Sequence, residues 1–364
     1  MDFLKKTRRA ILPAYQKYYS RLHELKFIFF ELTHDCNLTC LHCGSDCVKG
    51  SGKEHLKQDD VLGVLKDIKG KYNSRKISVC LSGGEPLCYP DVFRLGRKIY
   101  ELEFPWGMVT NGFAWNEKKI RMAKQSGMHS ITVSLDGLED THEWLRGRRS
   151  SFNRAVNTIR LLLADRFWQA MDVITCVNSR NIDQLDGLYD LVKNLGLENW
   201  RFFIISPIGR ATQVPELFLN KEQYHRLLNR ILEFRSRGEI NVALSESGYL
   251  GPQWELSVRN QYYFCRAGIN IAGIMVNGDI LACPNIDRRF AQGNIHKDTF
   301  TYVWENEYEK FRDRSWMKKG VCASCSEWKL CRGNSLHTWD LDENRPKICH
   351  YRDFGLDYPG GDGH

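Results

Sequence analysis

The sequence predicts an α/β protein, a partial (β/α)6 TIM-like barrel followed by a small cysteine-rich domain. From residue 26 to about residue 237, short β-branched or apolar runs alternate with longer amphipathic runs, as in repeated βα units. After about residue 245 the composition shifts towards cysteine, glycine and tryptophan, which indicates a second domain. The expected division is a basic N-terminal helix (1–25), the barrel (26–244), the cysteine-rich domain (245–352) and a flexible tail (353–364).

Six runs are predicted to be the barrel strands, and polar or glycine-rich residues follow each of them. The runs are KFIFFELT (26–33), KISVCLS (76–82), WGMVT (106–110), SITVSL (130–135), MDVITCV (171–177) and WRFFIIS (200–206). The following residues are THDC, GGEP, NG, DG, NSRN and PIGR. Because parallel strands of a barrel end at one rim, we expect the active site there. Six units in place of eight predict an opening on one side, wide enough for a large substrate.

Composition places the protein in the cytoplasm and favours bound metal over disulfides. The N-terminus has no apolar signal region, and no apolar run approaches the ~18 residues of a membrane span. Thirteen cysteines in a 364-residue chain without a secretory signal therefore indicate metal ligation. The net charge of +8 is mild, and its densest patches, residues 5–9 and 146–149, are interpreted as solvated surface. No nucleic-acid partner is expected.

The first 25 residues predict an amphipathic helix with a basic polar face. Its apolar residues near one face are Leu4, Ile11, Tyr15, Tyr18, Leu22 and Leu25. We expect this face to pack against the barrel, and docking to a membrane or a partner is the alternative.

Three cysteines after the first predicted strand, Cys36, Cys40 and Cys43, have the spacing C-x3-C-x2-C. A cubane iron–sulfur cluster takes four cysteines, so three thiolates leave one iron free to bind a reactant. Cys47 extends the run to four thiols, which leaves a closed cluster as an alternative. A structural zinc site is a further alternative, although zinc favours paired C-x2-C spacings.

Together these residues resemble a radical S-adenosylmethionine (SAM) enzyme with a C-terminal SPASM extension, over about residues 26–352. The three cysteines fit the CxxxCxxC signature, with His42 at its usual aromatic position. The resemblance implies that they hold a [4Fe-4S] cluster whose fourth iron is chelated by the amino and carboxylate groups of SAM. Cys47 is then not a ligand.

The resemblance also implies a set of SAM-binding residues at the strand ends. The GGEP element, Gly83, Gly84, Glu85 and Pro86, would bind the SAM amino group. Arg146, within the pattern H-x3-RG-x4-F, would face the SAM carboxylate, a task suited to a planar charged donor. The other positions assigned to SAM are Thr110, Asn111, Ser134, Asp136, Asn178 and residues 207–209.

A second cysteine group lies near the C-terminus. Cys322, Cys325, Cys331 and Cys349 match ligands of the distal auxiliary [4Fe-4S] cluster in the SPASM pattern, with a structural zinc site as the alternative. Cys265 and Cys283 match the start of that pattern, with Gly278 as its glycine in an Asn-Gly hairpin turn.

At one position the chain departs from the pattern, because Ser335 stands where a further cysteine is usual. We therefore expect at least one auxiliary cluster. The second, proximal one is expected to be absent, unusual, or completed by Ser335, His337 or a distant cysteine.

The function implied by the resemblance is reductive cleavage of SAM to a 5′-deoxyadenosyl radical that abstracts hydrogen from a peptide or protein. An electron donor such as flavodoxin or ferredoxin is the expected partner. The alternatives are side-chain oxidation as in anaerobic sulfatase maturases, a small-molecule or RNA substrate, and a non-catalytic iron–sulfur electron carrier. The run CNLTCLHCGSDC is also similar to a radical SAM subgroup encoded beside small lipoproteins.

Overall fold

The computed structural model describes residues 3–50, 55–164, 166–245 and 247–356, with the side chains from residue 7 onwards. Twelve strands occur in these ranges. They are β1 (Phe27–Glu31), β2 (Ser78–Ser82), β3 (Trp106–Thr110), β4 (Met128–Ser134), β5 (Ala170–Val177), β6 (Asn199–Ile204), β7 (Asn241–Leu244), β8 (Ile271–Ile274), β9 (Asp279–Leu281), β10 (Gly293–Asn294), β11 (Trp339–Asp340) and β12 (Arg345–Pro346).

Helices alternate with the first seven strands and continue into the C-terminal part. They are α1 (Phe3–Leu22), α2 (Gln58–Lys71), α3 (Val92–Glu101), α4 (Glu117–Gln125), α5 (Glu139–Arg146), α6 (Ser151–Leu163), α7 (Leu185–Asn194), α8 (Lys221–Arg237), α9 (Glu255–Val258), α10 (Phe300–Asn306), α11 (Glu309–Arg312), α12 (Trp328–Cys331) and α13 (His350–Asp353). None of the described helices is both long and apolar enough to cross a membrane.

The predicted partial α/β barrel is confirmed. Strands β1 to β7 pair in parallel in sequence order, so that the carboxyl ends of all seven lie on one rim. Strand β7 adds to the six predicted strands. Its four residues, NVAL, are too short a run to separate from the preceding helix by pattern alone. The helix before it, α8, begins with a capping box between Asn220 and Gln223 and ends at Gly238, whose φ is +68°.

The same sheet continues into the C-terminal part of the chain. Strand β8 pairs in parallel with β1, with Phe27 opposite Ile271, and β9 and β10 follow antiparallel. The full order is β10-β9-β8-β1-β2-β3-β4-β5-β6-β7. The hairpin between β8 and β9 turns at Asn277 and Gly278, where the glycine has a φ of +86°. A division of the chain at residue 245 therefore cuts across one continuous sheet.

Helix α1 packs through a different face from the expected one. Leu12, Gln16 and Ser20 are buried, whereas the predicted apolar face is largely in solvent, with Tyr18 60 % and Ile11 55 % exposed. Tyr15 and Leu22 are also exposed, Leu25 is buried beyond the helix end, and the side chain of Leu4 lies outside the described residues. The buried face is partly polar, and its Gln16 side chain donates a hydrogen bond to the Leu330 carbonyl of α12.

The expected flexible tail does not begin at residue 353. The ring of Phe354 stacks on Tyr224 of α8 at 3.9 Å, and Leu356 is also buried. These two apolar side chains hold residues 353–356 against the barrel. The rest of the predicted tail, residues 357–364, lies outside the described residues.

Candidate active site

A cavity of about 230 Å³ opens at the rim where β1 to β4 end. Ten of the predicted site residues line it: Cys36, Cys40, His42, Cys43, Gly83, Gly84, Thr110, Asn111, Ser134 and Arg146. Cys47, Arg210 and Asn285 also contribute to its wall. Four predicted SAM residues, Glu85, Pro86, Asp136 and Asn178, are not among the lining residues.

The GGEP element packs directly against the loop that follows β1. A Cβ atom on Gly83 would lie 2.4 Å from the Thr33 carbonyl oxygen, and one on Gly84 would lie 2.1 Å from that of Asp35. The N–H of Gly84 donates to the Thr33 carbonyl at 2.7 Å. Only glycine allows the two backbones to approach this closely. The two loops thus form one surface of the cavity without intervening side chains.

Each of the three thiols at the cavity lies near a hydrogen-bond donor. Asn111 Nδ2 is 3.8 Å from Cys36 Sγ, and Arg146 Nη1 is 3.6 Å from Cys40 Sγ. The backbone N–H of Cys47 donates to Cys43 Sγ at 3.3 Å. Cys47, which also lines the cavity, thus contacts Cys43 through both its backbone and its thiol.

The protonation of the thiols follows from their surroundings. Burial raises the pKa of Cys36 to about 12 and also raises the pKa of Cys40. A hydrogen bond from the Cys47 side chain lowers the pKa of Cys43 to about 6. Without a metal, two of the three are therefore neutral thiols at pH 7, and metal binding must displace their protons.

Glu85 points away from the cavity. Its carboxylate is 1 % exposed and accepts hydrogen bonds from Thr110 Oγ1 at 2.7 Å and from the N–H of Asn111 at 2.9 Å. Burial raises the pKa of this carboxyl group above its usual value. Pro86 begins the short 3-10 turn that follows. These two residues therefore fix the end of β3 against that of β2, and only the glycines of GGEP face the cavity.

Asp136 orients Arg146 from beneath the cavity. Its side chain is fully buried and accepts a hydrogen bond from Arg146 Nε at 2.5 Å and another from the N–H of Cys176 at 2.7 Å. Its own N–H donates to His142 Nδ1 at 3.0 Å. Burial opposes ionisation, but the Arg146 charge keeps the pKa of Asp136 below its usual value. Asp136 is therefore a partner of Arg146 and not a wall of the cavity.

The side chain of Asn178, like that of Asp136, is bonded to neighbouring protein groups. Its side-chain oxygen accepts from the N–H groups of Arg180 and Asn181, which closes the turn after β5.

Arg210, which the sequence analysis did not select, clamps the cysteine loop. Its guanidinium donates to the carbonyls of Cys40 at 2.9 Å and Cys47 at 3.0 Å, and its backbone N–H donates to the carbonyl of Cys43. Gly209 has a φ of +55°, and a Cβ there would lie 2.3 Å from the Cys43 carbonyl oxygen. Gly209 and Arg210 belong to the PIGR sequence directly after β6, and this position at a strand end is the feature by which they could have been selected from the sequence. Asn285 carried no such signal because it comes from the C-terminal part of the chain.

The four cysteines of the second group meet at one place. Cys322, Cys325, Cys331 and Cys349 line a small enclosed cavity together with Tyr249 and Glu327. A tetrahedral zinc with Zn–S bonds of about 2.3 Å holds its sulfurs about 3.8 Å apart. In the described ranges, three ligand atoms lie within 4.8 Å of one another only for His42, Asp136 and Cys176, where Arg146 already neutralises the aspartate. No three of the four auxiliary thiols have sulfurs that all lie within 4.8 Å of one another, and the same holds for the set of Cys36, Cys40 and Cys43.

The proximal pair, Cys265 and Cys283, has no comparable partners. Ser335 is fully buried, and its hydroxyl is bound to the Ser247 carbonyl at 3.0 Å and to Tyr263 Oη at 2.7 Å. His337 lies 3.4 Å from Ser206 Oγ, at the end of β6. Among the described residues, the two thiols and a third histidine, cysteine or carboxylate ligand atom do not all lie within 4.8 Å of one another, as is also true of the other two cysteine groups.

Comparison with known proteins identifies both parts of the chain. Residues 30–192 match the family described as the Radical SAM superfamily, and residues 265–326 match the SPASM iron-sulfur cluster-binding domain. The chain contains a radical SAM domain and an SPASM domain. The two domains imply [4Fe-4S] clusters and SAM as cofactors. The thiol-lined cavity belongs to the radical SAM domain, and the enclosed four-thiol cavity lies at the end of the SPASM domain and beyond it.

Several characterised proteins are similar to this chain over most of its length. An AdoMet-dependent heme synthase of Methanosarcina barkeri is 26 % identical over 352 residues, covering 90 % of this chain and 97 % of that protein. The mycofactocin maturase MftC of Mycolicibacterium smegmatis is 29 % identical over 314 residues, covering 84 % and 77 %. The structure of Streptococcus suis SuiB bound to its precursor peptide SuiA has a TM-score of 0.70 at 19 % identity, covering 93 % and 78 %. At this level of identity, the similarity to SuiB shows a shared fold and nothing more.

Proposed function

We propose that this protein is a peptide- or protein-modifying radical SAM maturase. The observation that carries the proposal is one cavity in which the thiols of Cys36, Cys40 and Cys43, the Gly83–Gly84 backbone and the Arg146 guanidinium meet. Cys47 also lines this cavity, but we assign the cluster to the three thiolates of the C-x3-C-x2-C run, which leaves one coordination position for a substrate.

The residues present fit the cofactors that the two domains imply. Cys36, Cys40 and Cys43 would hold the SAM-binding cluster, while the Gly83–Gly84 backbone and Arg146 would position the amino and carboxylate groups of SAM. When bound and reduced by an external donor, the cluster would supply the one electron that cleaves SAM to methionine and a 5′-deoxyadenosyl radical. His42, Thr110, Asn111 and Ser134 would complete the wall that excludes water from it. Cys322, Cys325, Cys331 and Cys349 would hold an auxiliary cluster.

Two features support a peptide or protein as the substrate. Strands β7 and β10 end the ten-stranded sheet, and they do not pair with each other. The barrel is therefore open on one side, as an extended substrate requires. Among the relatives, MftC is a maturase, and SuiB binds a precursor peptide.

A small molecule is the second candidate substrate. The similarity to the AdoMet-dependent heme synthase spans nearly the whole of that protein, which favours a heme-related small molecule as the substrate.

We further propose that a protein such as flavodoxin or ferredoxin donates the electron and that the enzyme acts in the cytoplasm.

Anaerobic reconstitution with iron and sulfide, followed by SAM and dithionite, tests the proposed cleavage. We expect 5′-deoxyadenosine, measured by liquid chromatography and mass spectrometry, from the wild type and from Cys47→Ala. We expect its loss in Cys36→Ala, Cys40→Ala and Cys43→Ala. Cys88→Ala is the matched control for removal of a thiol that does not line the cavity. A wild type with a full iron content that forms no 5′-deoxyadenosine would overturn the proposal.

A further inference from the structure

Helix α1 and the C-terminal part of the chain enclose a groove of about 590 Å³ on the side of the auxiliary cysteines. We name it the α1 groove. Its lining residues are Pro13, Gln16, Lys17, Ser20, Arg21, Glu309, Arg312, Asp313, Lys329 and Arg332. Five cations thus face two carboxylates. Within the described chain, none of these five cations forms an ion pair shorter than 4.0 Å, so the groove keeps an excess of positive charge.

Two buried polar atoms in this groove have no hydrogen-bond partner. Gln16 is 1 % exposed, and its side-chain nitrogen donates to Leu330, but its Oε1 is unpartnered. Arg312 Nε is also buried without a partner. An unsatisfied buried acceptor and donor are costly and indicate that another molecule completes the site.

The groove lies beside the short helix that carries one of the auxiliary cysteines. Helix α12 carries Lys329 on the groove wall and ends at Cys331, which lines the four-thiol cavity. Helix α1 is fixed to the same wall by an ion pair of 2.7 Å between Arg9 and Glu327. A molecule seated in the groove is therefore separated from a proposed cluster ligand by a single helical turn.

An exposed apolar stripe on α1 borders the groove. Ile11, Tyr18 and Leu22 are 55 %, 60 % and 46 % exposed, and they alternate along the helix with the groove residues Lys17 and Arg21. Apolar and aromatic contacts flanked by unpaired charge are typical of a transient protein interface. The concave shape and the two carboxylates, Glu309 and Asp313, fit a protein surface better than a flat anionic membrane.

We propose that the α1 groove and its apolar stripe form the docking surface for an acidic, low-potential, one-electron carrier protein. The donor would pass one electron from its reduced cofactor to the auxiliary cluster, and no bond would form or break. The donor would be oxidised by one electron and the cluster reduced by one. The inference rests on the proposed function, because it assumes that the four auxiliary thiols hold a cluster.

Binding of an acidic flavodoxin to the reconstituted full-length protein tests the docking surface. The variant Lys17→Glu/Arg21→Glu reverses two exposed charges at the groove. The control Arg94→Glu/Lys118→Glu makes the same charge change at exposed positions on α3 and α4 of the barrel. We expect the groove variant to weaken flavodoxin binding about ten-fold or more at low salt and the control to change it less than about two-fold. Raising the salt to about 0.3 M should reduce the difference, since it screens exposed charges.

Three outcomes would overturn the inference: equal weakening in both variants, no binding of flavodoxin by the wild type, or selective loss of binding to phosphatidylglycerol vesicles with flavodoxin binding unchanged. The last result would assign the surface to a membrane. Dithionite-driven formation of 5′-deoxyadenosine, measured in the same preparations, bypasses the donor. Its presence in all variants shows that the proposed function stands even where docking fails.

Discussion

Each of the three proposed cluster thiols has its own donor, and the donors differ in kind. Asn111 provides a neutral amide, Arg146 a charged guanidinium and Cys47 a backbone N–H. Hydrogen bonds to the sulfurs are one of the factors that set the potential of an iron–sulfur cluster, because they stabilise its more negative, reduced form. The wall of the cavity therefore contributes to the ease of reduction of the cluster as well as to its shape.

Replacement of Asn111 by alanine is expected to make the SAM-binding cluster harder to reduce. The variant loses the donor on Cys36 and the hydrogen bond of 2.7 Å to Asn37 Oδ1 that orients it. The midpoint potential, measured by electron paramagnetic resonance during a redox titration, should move to a more negative value. The auxiliary cluster in the same molecule is the internal control, and its potential should stay unchanged. An unchanged potential for the SAM-binding cluster would show that Asn111 has no part in tuning it.

Single residues also show where inference from the sequence stops. Glu85 and Asp136 stand in motifs that pointed to SAM, yet both carboxylates are buried against protein donors. A sequence motif gives the position of a residue on a strand end but not the direction of its side chain. That direction depends on partners such as Thr110 and Arg146, which come from neighbouring strands.

At the scale of elements, the loop after β6 closes over the loop after β1. Gly209 has a positive φ and lies against the Cys43 carbonyl, where there is no room for a Cβ atom. Gly238, at the end of α8, has a similar φ of +68°, but a Cβ there would meet nothing within 4 Å. Substitution of Gly238 would add backbone strain alone, whereas substitution of Gly209 would add both backbone strain and a steric clash.

We expect Gly209→Ala to lower the occupancy of the SAM-binding cluster and Gly238→Ala to leave it intact. Both changes add strain of about 1 kcal/mol from the positive φ, but only the first pushes the cysteine loop outwards. Iron content and the visible absorption after anaerobic reconstitution give the measurement. Equal iron in the two variants would mean that the loop tolerates the displacement.

The order of β1 to β6 could be predicted because βα units repeat at short range along the chain. The pairing of β8 with β1 could not, because it joins residues about 240 positions apart and both strands are short apolar runs. The exposed stripe on α1 was also assigned wrongly to packing. Helical periodicity identifies an apolar face, but the face that is buried depends on which neighbour offers partners, here α12.

At the scale of the whole molecule, the proposed metal sites lie in unequal surroundings. Four thiols meet in one enclosed cavity, whereas Cys265 and Cys283 match only the opening of the SPASM pattern, and Ser335 stands where a further cysteine is usual. The Ser335 hydroxyl is held by Tyr263 and Ser247. We therefore expect the protein to hold two cubane clusters in place of three.

Reconstituted wild-type protein should contain about eight iron atoms per chain, against about twelve for three cubane clusters. The double variant Cys265→Ala/Cys283→Ala should keep this value. Loss of Cys331 should reduce it by about four, because the auxiliary cluster loses a ligand. Iron and acid-labile sulfide assays measure the content. A drop in the Cys265→Ala/Cys283→Ala protein would contradict the prediction and reveal a third centre.

The hydrogen bonds from Arg210 to the cysteine loop affect when during synthesis the loop can receive its iron–sulfur cluster. The cysteine loop ends at Cys47, but the arginine that holds it is made more than 160 residues later. During synthesis on the ribosome, the loop therefore lacks this clamp until the loop after β6 has emerged. An assembly factor that delivers iron and sulfide to this site would have to act on the nearly finished barrel, not on the emerging N-terminus.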